Sequence, residues 1–181
     1  MRRRELLVRR TTMLRGFVFI SILMASYSLL LVGCGWHLRG NYIFPASMEK
    51  LYLKGTARYS ELGVAIHSAL AGTNSHLVES PGQAMAILHI LSDKSEQRVL
   101  ATDSSGRASE YEVSYLLRYT LVDSKGVTLV SEQQIKATRE YRYDSSNVLA
   151  TGSEVGHLKK EMTRFGVQQM LYRISASLRS K

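Results

Sequence analysis

Residues 109–143 read SEYEVSYLLRYTLVDSKGVTLVSEQQIKATREYRY, and their spacing decides the fold class. Tyr111, Val113, Tyr115, Leu117, Tyr119 and Leu121 recur at every second position, with Glu110, Glu112, Ser114, Arg118 and Thr120 between them. Successive side chains of a strand point to opposite faces, so the spacing predicts a long strand over 109–122 with one apolar and one polar face. Asp123-Ser124-Lys125-Gly126 carries hairpin chemistry. Residues 127–143 then form a second long strand, polar along much of its length.

Working toward the amino terminus, residues 102–107 hold Asp-Ser-Ser-Gly and read as a turn. Residues 84–91 are almost continuously apolar, as in a strand covered on at least one face, and 94–101 continue it with a polar pattern. Residues 76–79 form a short extended piece. Leu62, Ala65, Ile66, Ala69 and Leu70 recur at helical spacing over 59–70, and Gly72-Thr73-Asn74 stops that helix. Residues 49–54 alternate through Leu51 and Leu53 and form a short strand.

Working toward the carboxy terminus, residues 144–152 read as a loop. Thr151 and Glu154 have capping-box spacing before a last helix that runs to about Leu178. Gly156 and Gly166 each weaken that helix by about 1 kcal/mol relative to alanine. The order is strand, helix, two or three long antiparallel strands, helix. The economical solution is an α+β two-layer sandwich, with two helices on one face of a small, mostly antiparallel sheet of about four strands. The domain is expected to span residues 49–181.

The first 33 residues have a different character. Arg2, Arg3, Arg4, Arg9, Arg10 and Arg15 precede residues 16–32, GFVFISILMASYSLLLV, which carry no charge. This is the n-region and h-region order of a secretory signal. Leu31-Val32-Gly33-Cys34 follows, in the pattern of a bacterial lipobox. The Cys34 thiol accepts a diacylglycerol as a thioether, and small Gly33 gives the signal peptidase access to the bond before Cys34. Acylation of the new amino group adds a second attachment. Each buried methylene contributes about 0.8 kcal/mol, so several chains anchor stably where one is marginal. Residues 1–33 are therefore read as a lipoprotein signal peptide and 34–48 as a lipidated tether. Gly35 stands where an Asp would signal inner-membrane retention in enteric bacteria, which favours the outer membrane.

The 181 residues carry a formal net charge of +9, but six of the arginines lie in the leader. Without the leader arginines and Glu5, 18 basic residues face 14 acidic ones, a net of +4. Nucleic acid is excluded as a partner by location outside the cytoplasm. Cys34 is the only cysteine, so no intramolecular disulfide forms. His37, His67, His76, His89 and His157 lack metal-ligand spacing, and there is no Walker loop, Gly-x-Gly-x-x-Gly or Gly-x-Ser-x-Gly. Catalytic residues, metal and cofactor are therefore all expected to be absent, and the protein is not expected to be an enzyme. The strand cations are of more interest, because Arg and Lys on a rigid sheet hold phosphates by charge-assisted hydrogen bonds. Glu96, Glu110, Glu112, Glu132 and Glu140 are interleaved with them as potential ion-pair partners.

Cys34-Gly35-Trp36-His37-Leu38-Arg39-Gly40 resembles the mature amino terminus of the LptE family, lipopolysaccharide-assembly lipoproteins also called rare lipoprotein B. Glu110-Tyr111 after a Gly-containing turn and Lys160-Glu161-Met162 early in the last helix are further matches. The resemblance spans nearly all of the mature chain. It implies a two-layer α/β sandwich that sits as a plug within the LptD β-barrel, assists its assembly and binds lipopolysaccharide. It also implies an outer-membrane, lipid-anchored, periplasm-facing location within the barrel lumen. The family binds lipopolysaccharide through basic side chains at the sheet end, at positions falling near Ser104 and Thr151, where this chain has none. Arg107 lies close to the first. The expected lipopolysaccharide or barrel contacts are Arg107, Lys136, Arg118, Arg139 and Arg142. The alternative is a periplasm-facing lipoprotein that binds another anionic or lipidic ligand as a transport-auxiliary module.

Overall fold

The structure, a computed structural model, describes residues 43–143 and 148–179, with backbone alone over 148–151. The elements are β1 (Lys50–Lys54), α1 (Glu61–Leu70), β2 (His76–Val78), β3 (Ala86–Thr102), β4 (Ala108–Asp123), β5 (Thr128–Arg142) and α2 (Val148–Arg179). Short 3-10 turns occur at Ala46–Met48 and Pro81–Gln83. The strands form one sheet in the order β2-β1-β3-β4-β5. β1 runs parallel to β2 and β3, and β3, β4 and β5 form an antiparallel meander. The fold is thus the expected α+β sandwich, with five strands instead of about four. The fifth strand is β2, which falls on the short extended piece expected over 76–79 and is only three residues long.

β4 lies between β3 and β5 and organises the core. Val113, Tyr115, Leu117, Tyr119 and Leu121 are each no more than 3% exposed. Ala86, Leu88 and Ile90 of β3 and Ile135 and Ala137 of β5 extend the same layer. α1 covers it with Leu62, Ile66 and Leu70, and α2 with Met162, Val167, Met170, Leu171 and Ile174. Burying one such large side chain stabilises the fold by about 1.5–3 kcal/mol. Ser60 caps α1, its hydroxyl accepting the Gly63 N–H at 3.0 Å. Past the helix end, Gly72 takes up the left-handed region at φ +107.

Gly166 lets α2 approach the sheet. A Cβ at this position would lie 2.8 Å from Cε1 of Tyr115 and 3.7 Å from Cδ2 of Leu117. No such contact surrounds Gly156, which faces open space. Gly152 likewise faces open space, so of the three glycines of the last helix only Gly166 has a packing role.

Two local expectations change. α2 begins at Val148, so residues 148–152 of the expected loop are helical and Thr151 lies inside the helix, where it cannot act as its cap. The expected tether is already packed from Phe44 onward: Phe44 and Met48 are 2% and 0% exposed. The Phe44 backbone N–H donates to Oδ1 of Asn74, and Nδ2 of Asn74 donates to the Phe44 carbonyl. As expected, residues 94–101 continue the strand of 84–91, but the register shifts at a bulge between Ile90 and Ser92. Leu91 is the extra residue there, and a bulge re-aims every side chain beyond it.

Candidate functional site

The face of β3-β4-β5 away from the helices is built from the polar half of the strand alternation. Its cations are mostly neutralised across strands. Arg98 holds Glu112 in a two-pronged contact, Nε to Oε1 at 2.7 Å and Nη2 to Oε2 at 3.2 Å. Nε of Arg118 reaches Glu132 at 2.7 Å, and Nε of Arg142 reaches Glu110 at 3.1 Å. Direct cross-strand register sets Arg98 opposite Glu112 and Arg142 opposite Glu110. The Arg98 guanidinium, through its hydrogen bond and its charge, holds the Glu112 carboxyl below the usual carboxylate range, and Lys136 adds a smaller push in the same direction.

Lys94 and Lys136 differ from these arginines. Among the described residues, neither lies within ion-pair distance of a carboxylate. Both are exposed, and both stand directly opposite Leu116, Lys94 on one side and Lys136 on the other. Two strand spacings separate their backbones by about 10 Å. Between them lies a shallow dimple of about 200 Å³, bordered also by Glu96, Ser114 and Gln134. A row of two ammonium groups around an apolar floor suits an anion such as phosphate, which lysine meets as a point charge.

The other expected contacts lie elsewhere. Arg139 stands opposite Val113, on the helix-facing side of the sheet, and its Nη1 donates to the Thr138 carbonyl at 2.9 Å. Arg107 closes the β3–β4 turn. Its backbone N–H and that of Ser105 donate to Oδ1 of Asp103 at 3.0 and 2.8 Å, and its Nε reaches Oδ2 at 3.2 Å. These bonds, led by the Arg107 backbone N–H, hold the Asp103 carboxyl below its ordinary range. Arg118, Lys136 and Arg142 thus share the open face, while Arg139 and Arg107 do not. Lys94 was not among the expected contacts. Counted in steps of two from buried Leu88 and Ile90, it falls on the core face, and only the bulge at Leu91 turns it outward.

Gly33 and Cys34 lie outside the described residues. Among the described residues, no group of three or more His, Cys, Asp or Glu side chains could hold a metal ion. No described helix is long and apolar enough to cross a membrane.

Against known proteins, a family model described as LptE, lipopolysaccharide-assembly, matches residues 48–174. The LPS-assembly lipoprotein LptE of Yersinia enterocolitica is 24% identical over 157 residues, covering 86% of this chain and 74% of that protein. The protein of the same name from Pectobacterium atrosepticum is 24% identical over 148 residues, covering 81% and 79%. Among solved structures, lipoprotein B of Nitrosomonas europaea superposes with a TM-score of 0.65 at 30% identity, covering 78% of this chain and 91% of that one. Rare lipoprotein B of Shewanella oneidensis gives 0.56 at 26% identity, covering 72% and 94%. With the same two-layer sandwich and a family match across most of the described domain, this chain belongs to the LptE family.

Proposed function

We propose that this chain is an outer-membrane lipoprotein that assembles lipopolysaccharide into the outer leaflet together with an LptD-type β-barrel. It acts as a plug in the barrel lumen, as a chaperone of barrel assembly and as a lipopolysaccharide binder. The observation that carries the reading is the family match over residues 48–174. The curated relatives carry the name LPS-assembly lipoprotein, which supports the same role. The domain, expected from residue 49, packs from Phe44 onward, and the leader of residues 1–33 is removed once Cys34 is lipidated. The anchor holds the domain at the periplasmic face of the membrane, and the tether spans the gap to the barrel.

The action is steric and electrostatic. A sheet braced on one side by two helices offers a stiff body for a lumen. Aromatic and Arg side chains are enriched at such interfaces, and Arg107, Arg118, Arg139 and Arg142 supply four of them here. Arg118 and Arg142 each hold a glutamate across strands on the open face. Lys94 and Lys136, which among the described residues have no carboxylate within ion-pair distance, take a phosphate of lipopolysaccharide.

The test is binding of purified lipopolysaccharide by the full lipidated chain, compared with a neutral lipid and with a phospholipid of equal charge. Preferential binding of lipopolysaccharide is expected. Preference for another anionic or lipidic ligand would move the chain to a transport-auxiliary role.

A further inference from the structure

α1 and α2 lie side by side over the core, and between them runs a groove of about 620 Å³, within the size range of small-molecule sites. Its α1 wall carries Val64, Ala65, Ser68 and Ala69, whose short side chains leave the space open. Buried Val167 lies at its floor beside Thr163. The Thr163 hydroxyl is already committed, donating to the Lys159 carbonyl at 3.1 Å. Val64 is 51% exposed and Tyr59, at the mouth, 86% exposed, so apolar surface meets water on one rim. On the other rim Lys160 and Arg164 stand one helical turn apart. Neither has a carboxylate within ion-pair distance among the described residues, and Glu61 borders the groove on the α1 side.

We infer that this groove holds one acyl chain of lipopolysaccharide, with a phosphate of the same molecule on Lys160 and Arg164. The groove alone argues for the chemistry, and the identity of the lipid rests on the function proposed above. The backbone on both walls is helical, with its interior N–H and C=O groups already bonded within each helix. An extended peptide laid there would leave its own N–H and C=O groups unpaired against Val64, Ala65 and Val167, whereas an acyl chain has none to satisfy. The two cations at one rim complement a phosphate and give the chain a direction. This site is separate from the Lys94–Lys136 row, which lies on the opposite face of the sheet.

The experiment is photo-crosslinking in living cells, with benzoylphenylalanine at Ser68 in the groove of the full-length chain and, as control, at exposed His67 on the same helix. The expected result is a lipopolysaccharide adduct from Ser68 and none from His67. The adduct should be lost when the groove is filled by Ala65→Trp. It should also be lost in Lys160→Glu with Arg164→Glu, two exposed changes that leave the core intact. A phospholipid adduct, a protein adduct or no adduct at Ser68 would each overturn the inference. Lipopolysaccharide retention by the intact chain is measured in parallel. If it persists without a Ser68 adduct, the groove inference fails alone; if it is absent too, the functional reading fails with it.

Discussion

Replacing Gly166 by alanine should forfeit the stability that the same change gives in a free helix. The added Cβ would lie 2.8 Å from Cε1 of Tyr115. That ring cannot easily move, being 3% exposed and tied by its hydroxyl to Oδ1 of Asp93 at 2.9 Å. Overpacking of this kind costs about 1–3 kcal/mol. Against it stands a helix-propensity gain of about 1 kcal/mol, together with reduced freedom of the unfolded chain. Gly156→Ala has the gain without the clash, since nothing lies within 4 Å of its added Cβ. Subtracting one substitution from the other cancels the shared helix and unfolded-chain contributions and leaves the contact with Tyr115. Gly156→Ala should therefore raise the urea midpoint of the soluble domain. Gly166→Ala should fall below it by about 1–3 kcal/mol at an unchanged m-value. Equal midpoints for the two variants would refute the claim that Gly166 sets the helix-to-sheet distance.

Four further outcomes follow from named groups. Burial raises the Tyr119 phenol from its ordinary value near 10 to about 12, so its contribution to stability is complete below 10 and lost as pH rises through 12. Spectrophotometric titration should find it ionising later than the exposed tyrosines, and simultaneous ionisation of all of them would contradict its burial. Asp103 is held below its ordinary value of 3.8, so its support of the β3–β4 turn is present above that pH and lost as pH falls through the lowered value. Carboxyl NMR titration checks this, and a midpoint at or above the ordinary value counts against the turn geometry. Lys94→Glu with Lys136→Glu should weaken lipopolysaccharide binding by about thirtyfold, at roughly 1 kcal/mol for each of the two exposed contacts, and flatten its salt dependence. Reversing Arg107 with Lys136 tests the turn in the same assay, and unchanged affinity would remove that pair from the site.

The legible parts of the fold were those with a strong local period. β4 alternates cleanly because one face is core and the other open, and α1 repeats Leu62, Ile66 and Leu70 at helical spacing. β2 was too short to carry a period, and its place beside β1 depends on a parallel pairing between distant residues. The start of α2 was misread because Ser145, Ser146, Asn147 and Gly152 have loop chemistry around the short apolar run 148–150. Gly166 read as a weakness because its partner, Tyr115, is far away in sequence. The Lys94–Leu116–Lys136 row was hidden for a similar reason, since it needs the register of three strands and the bulge at Leu91. Arg139 looked like its neighbours until the register set it opposite Val113.

The most direct measurement is purification of the full lipidated chain, tagged at its carboxy terminus, from its own outer membranes in a gentle detergent. A single large β-barrel protein and lipopolysaccharide should co-purify with it, and mass spectrometry should find the mature chain beginning at acylated Cys34. A chain recovered from the same membranes without any barrel would contradict the account.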